Sequence, residues 1–296
     1  MKIVLALTLM FSTSASHISV DKLWSDLVAI SSTRKTVQAK ATLIGAQYEA
    51  RAPINSEAIR ASADKDLHML FKIVDISSFY AQSGDYERRG RYLGDMRSII
   101  EVLDQRKIIE PQEIDTYYEA LIVSRKFEWA AEFKRAHKNS LLQAVPDILP
   151  ADHLDVRGAA AFTLSKSGRA LDLKNVHFPK GSYVVVVADC HKARDAAVQI
   201  AKNNRLVPAF KKDRAVWVAS ARVSLDLAAM KEWDKAFPDF PLHIAYDNAA
   251  WKGIDFSMSP NFFFFKDGRL VETRLGWSSK LSEEELAKSL ARIGAL

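Results

Sequence analysis

The chain has 296 residues, 48% of them hydrophobic, which is enough apolar material for two ordinary cores and unlike a disordered chain. Its net charge of +6 comes from Lys and Arg interspersed with Asp and Glu, with no basic run interleaved with aromatics, which argues against a nucleic-acid partner. A single cysteine excludes a disulfide scaffold.

The N-terminus, MKIVLALTLMFSTSAS, combines Lys2, an apolar stretch from Ile3 to Phe11 and the small residues Ser14, Ala15 and Ser16. This pattern predicts a secretory signal peptide over residues 1–16 and a bacterial protein of the periplasm or exterior. No later apolar run reaches about 18 residues, so no transmembrane segment is expected after cleavage. No cysteine lies near the cleavage region to carry a lipid.

Residues 17–146 read as an all-helical domain. Leu23, Trp24, Leu27 and Ile30 make one helical stripe, and Leu67, Leu70, Phe71, Val74 and Ile76 another. Pro53 and Pro111 fall at breaks between helices. The segments FYAQSGDYERRGRYLGDM and YYEALIVSRKFEWAAEFKRA each place aromatics before a polar turn and Tyr86 or Phe127 just after it. They loosely resemble tetratricopeptide-like helix hairpins, which implies a groove for a partner segment. A helical domain that only packs on its neighbour fits the residues as well.

Residues 147–157, bracketed by Pro146 and Pro150, read as a linker. Ala161–Leu164 and Ala170–Leu173, joined through Ser167 and Gly168, predict a β-hairpin. Tyr183 to Ala188 is a β-branched apolar run, the mark of a strand covered on both faces. From His191 onward, Ala196, Ala197, Ile200 and Ala201 take helical spacing, so Cys190 stands at a strand-to-helix junction, where helix N–H groups stabilise negative charge. A strand at Ala215–Ala219, a helix from Leu225 to Phe237 and a strand at Leu242–Tyr246 follow. Pro260 then opens a hairpin of Phe262–Phe265 and Leu270–Trp277 around Asp267-Gly268. A last helix covers Leu281–Ile293, with Ser282 and Glu285 spaced as a capping box.

The stretches ADCHKA and SPNFFFFKDGRLVETRLGW together resemble the thioredoxin fold, over residues 158–296. The hairpin before the Cys190 strand is similar to the extracytoplasmic branch of TlpA and peroxiredoxin-like proteins. The fold class implied is an all-α N-terminal domain followed by an α/β thioredoxin-like domain. The resemblance implies a reactive Cys190 and a cis Ser259–Pro260 peptide beside it. The motif is degenerate, CxxA: Ala193 takes the second cysteine's place, Asp189 replaces the usual preceding aromatic, and the buried-acid position falls near Val184. A dithiol oxidoreductase is thereby excluded. A peroxidase is excluded too, because Val185, Val186, Val187, Ala188 and Asp189 precede the cysteine where a PxxxTxxC-type loop is needed.

Two functional classes follow. In the first, Cys190 is the nucleophile with His191 assisting, and the substrate contacts are Asp189, Lys192, Ala193, Ser259 and Pro260. The chemistry is monothiol exchange with an extracytoplasmic protein or peptide carrying a thiol or disulfide. In the second, the same groove and the helical domain bind a partner protein without redox turnover. The histidines show no ligand spacing and no HExxH or CxxC occurs, so neither a metal nor another cofactor is expected.

Overall fold

In a computed structural model, the structure describes residues 19–52, 54–81, 86–138, 141–278 and 282–296. Residues 1–16, read as a signal peptide, and Pro53 lie outside them, and so does the Ser282 side chain of the expected capping box. Among the described residues no helix is long and apolar enough to cross a membrane.

Among the described residues seven helices come first: α1 (Val20–Ser31), α2 (Val37–Arg51), α3 (Ser56–Ala61), α4 (Asp64–Ala81), α5 (Tyr86–Gln105), α6 (Pro111–Val123) and α7 (Phe127–Ala136). Side chains start several of them. Ser19 and Thr36 accept from the amides of Lys22 and Ala39. Pro111 occupies the first turn of α6, where its missing N–H costs nothing. The predicted stripes turn inward, with Leu23, Leu27, Leu67, Leu70, Phe71 and Val74 buried and Trp24, Ile30 and Ile76 partly so.

Eight strands follow: β1 (Asp147–Pro150), β2 (Ala160–Leu164), β3 (Ala170–Asn175), β4 (Ser182–Val187), β5 (Ala215–Ala219), β6 (Leu242–Ala245), β7 (Asn261–Lys266) and β8 (Arg269–Leu275). They form one sheet in the order β1-β3-β2-β6-β5-β4-β7-β8. Strands β4, β5 and β6 are parallel, and β7 and β8 add antiparallel. The segment read as a linker contributes β1, which pairs in parallel with β3. Helices α8 (His191–Lys202), α9 (Val207–Phe210), α10 (Leu227–Ala236) and α11 (Ser282–Ile293) complete the chain.

Period-two alternation covers both faces of the central strands. Val184, Val186, Phe262 and Phe264 pack under α8 and α11 with Ala193, Ile200 and Leu290. Val185, Val187, Phe263 and Phe265 turn to the opposite face, closed by Trp251 and Phe256. Toward the other end of the sheet, Ala219, Ile244 and Phe162 stand side by side in register and join the core of the helical half.

The turn between α6 and α7 joins the two halves. Arg125 there has φ 59°, in the left-handed region, a conformation that strains a residue with a Cβ. Its guanidinium runs into the sheet half, donating to Ala245 O at 2.9 Å, Ala221 O at 3.2 Å and Tyr246 O at 3.4 Å, and back to Ile122 O at 3.3 Å. It also lies 4.9 Å from the centre of the Phe162 ring.

Candidate functional site

Cys190 is the N-cap of α8, in extended conformation at φ −140 and ψ 166. Its carbonyl accepts from the amides of Ala193 and Arg194. The helix forms here because Ala193, Ala196, Ala197 and Ile200 make a small-residue stripe that seats flat on β4 and β7. The side chain takes no part in capping. Instead Sγ lies 3.2 Å from Ser259 O, the thiol donating.

Ser259 ties the two segments of the site together. Its Oγ accepts from the Asp189 amide at 3.0 Å and reaches Val187 O at 3.4 Å as donor. The Ser259–Pro260 peptide bond is cis, and Pro260 O accepts from the Gly276 amide at 2.8 Å at the end of β8. Cys190, half-buried, packs with Trp277 against the cluster beneath α8. Next to the cis peptide in the chain, Met258 is 53% exposed, and Leu275, paired with Asn261 in the sheet, is 64% exposed.

The predicted residues divide into two groups. Asp189, Cys190, Ser259 and Pro260 meet, through the hydrogen bonds above. His191 and Lys192 stand exposed on the first turn of α8, and among the described residues neither makes a hydrogen bond or ion pair with Cys190. Ala193 is fully buried beneath the helix and offers a substrate no surface. Val184, at the position where the resemblance led to a buried acid, is fully buried among apolar residues. The arrangement sets one thiol against the Ser259 backbone carbonyl. It has no internal resolving group.

Sequence spacing missed two side-chain groupings. His68 Nδ1 lies 2.7 Å from Glu113 Oε1, and with Glu110 these residues bring ligand atoms within 4.8 Å of one another. The other Glu113 oxygen accepts from the Glu110 amide at 2.9 Å, closing a capping box on α6. Both oxygens of this buried carboxylate therefore have partners, and helix capping accounts for the cluster. The second grouping is Arg125 with its four carbonyls. No motif could have flagged either, since each pairs residues from separate elements.

No family model matches the chain, and no curated protein matches it. Among solved structures it is similar to a thioredoxin-like protein determined in solution in its oxidised form, with 20% identity over 39% of this chain and 81% of that one, at a TM-score of 0.30. It is also similar to a thioredoxin-like protein from Bacteroides caccae ATCC 43185, with 11% identity over 86% of this chain and 95% of that one, at a TM-score of 0.28. The strand order itself carries more: a parallel β6-β5-β4 run, an antiparallel β7–β8 hairpin, a helix opening at Cys190 and Pro260 facing it are consistent with a thioredoxin-like fold.

Proposed function

We propose that the chain is an exported thioredoxin-fold protein whose single cysteine forms mixed disulfides with protein or peptide substrates. The observation that supports this reading is the placement of Cys190 Sγ at a helix N-terminus, 3.2 Å from the backbone of Ser259. Cys190 loses its proton to solvent, and the thiolate attacks one sulfur of a substrate disulfide. An S–S bond forms to Cys190 while the substrate's S–S bond breaks, and the departing sulfur leaves as a thiolate that takes up a proton. Ala193 offers no second thiol, so an external thiol attacks the mixed disulfide, forms a disulfide with the substrate and returns Cys190 to its reduced state. An extended substrate pairs with the backbone at Ser259, and Met258 and Leu275 favour apolar flanking residues. The signal-peptide pattern of residues 1–16 supports a location in the periplasm or outside the cell, and the motif is similar to that of the TlpA and peroxiredoxin-like branch.

A binding module without turnover is the second reading. It is favoured by the thiol's hydrogen bond to a backbone carbonyl and by its packing against the core cluster beneath α8. Here the groove beside Pro260 and the helix hairpins grip a partner protein.

The test is alkylation of mature protein by iodoacetamide as a function of pH, with Cys190→Ser as the blank, followed by reaction with a peptide disulfide. Rapid labelling of folded protein and a mixed disulfide that persists until a thiol is added support the first reading. Labelling only upon unfolding sinks it and leaves the second.

A further inference from the structure

A cavity of about 570 Å³ opens between the helical half and the sheet half, away from Cys190. One wall is α4, which presents Asp75, Ser78 and Phe79 at i, i+3 and i+4, and the other is α6, which presents Asp115, Thr116 and Glu119. The floor is apolar, from Tyr118, Leu142 and Leu225, and Phe79 remains 51% exposed at the mouth.

Two groups in this cavity lack the partners that buried polar atoms ordinarily find. Ser78, on the lining, is 2% exposed, and its Oγ makes no hydrogen bond among the described residues. Asp75, half-buried on the same helix face one turn earlier, makes no hydrogen bond or ion pair among the described residues. Burial pushes its carboxyl up to about 6. Three carboxylates line a cavity whose one lining cation, Arg222, is already donating to Phe256 O at 3.0 Å and Ser220 Oγ at 3.4 Å. In a chain of net charge +6 this is a locally inverted field.

We propose that this cavity binds an alkylammonium group, with the ammonium between Asp75 and Ser78 Oγ and the alkyl stem on Phe79, Tyr118 and Leu225. A compact ammonium has three rotatable donors, which suit one carboxylate, one hydroxyl and a third acceptor on Asp115 or Glu119. The stem has an apolar path to the mouth, so the group arrives either as a free alkyldiamine or as a lysine side chain of a peptide. Binding supplies Asp75 with the counter-charge that the fold withholds.

Isothermal titration calorimetry of the full mature chain at pH 7.5, with cadaverine and with acetyl-Leu-Lys-Leu-amide, tests this. The wild type is expected to bind at least one probe in the millimolar range or tighter, and Asp75→Asn to weaken it on the order of tenfold to a hundredfold. Glu119→Gln, at an exposed position, is the second variant and is expected to weaken binding by less than Asp75→Asn. Tighter cadaverine binding identifies a free diamine, and tighter tripeptide binding a peptide lysine. Failure of both probes, equal binding by wild type and Asp75→Asn, or equal binding of pentan-1-ol overturns the proposal. None of these outcomes depends on Cys190.

Discussion

Replacing Arg125 with alanine removes a half-buried charged side chain that the helical half sends into the sheet half. The bonds to Ala245 O at 2.9 Å and Ala221 O at 3.2 Å are well formed, each about 1.5–3 kcal/mol with a charged donor. The bonds to Ile122 O at 3.3 Å and Tyr246 O at 3.4 Å are longer and contribute less. Contact with the Phe162 ring adds about 1 kcal/mol. Against these stands desolvation of a guanidinium with no carboxylate beside it, which holds its pKa below the usual range. Alanine removes that cost too, but leaves buried carbonyls unpaired, and the net loss expected is about 3 kcal/mol. Urea unfolding followed by far-UV circular dichroism and by tryptophan fluorescence measures it. Four tryptophans, Trp217, Trp233, Trp251 and Trp277, lie in the sheet half, so the two probes are expected to separate in the variant as the halves uncouple. Arg125→Lys keeps the charge but not the fork, and recovers less than half of the loss. A stability change below about 0.5 kcal/mol in Arg125→Ala would refute the reasoning.

Three further perturbations follow from the same geometry. His243 donates from Nδ1 to Trp217 O at 3.1 Å, and burial pushes its pKa down to about 4. The unfolded chain therefore takes up a proton near pH 6.5 that the native ring refuses, so stability falls between about pH 6.5 and 4, by up to about 3 kcal/mol. His243→Gln is expected to flatten that part of the stability profile in urea titrations at stepped pH. Asp75 has the opposite sense: its native pKa of about 6 lies above the unfolded value, so its contribution is present at low pH and lost as pH rises. Thermal melts of Asp75→Asn should match wild type near pH 4 and exceed it above pH 6, by about 1–2 kcal/mol after allowing for solvent contact. Equal melts at pH 8 would contradict the unpartnered carboxylate. Ser259→Ala removes the acceptor of the Asp189 amide, at a cost of about 1 kcal/mol, and hydrogen exchange of that amide is expected to accelerate.

Local pattern alone determined much of the chain. The valines of β4 and the phenylalanines of β7 are legible as strands because alternation over a few residues buries both faces, whatever lies beyond them. Cys190 is legible as a helix cap for a similar reason, since Ala193, Ala196, Ala197 and Ile200 announce a helix beginning just after it. The meeting of Cys190 with Ser259 came only through resemblance, because 69 residues separate them. Only the tertiary structure decided that Asp147–Pro150 becomes an edge strand, a segment too short and too mixed to declare a period. It also decided that His191 and Lys192 face solvent and Ala193 the core, since a residue's place around a helix depends on which face the sheet takes. Arg125 is the sharpest case. In VSRKFEW it reads as one more surface cation, and its enclosure by Ala221, Ala245 and Tyr246 arises from carbonyls about 100 positions away that no local spacing can foretell. The same holds for Asp75 and Ser78, whose lack of partners is a property of the packed whole: whether a polar group is satisfied depends on what the fold brings near it.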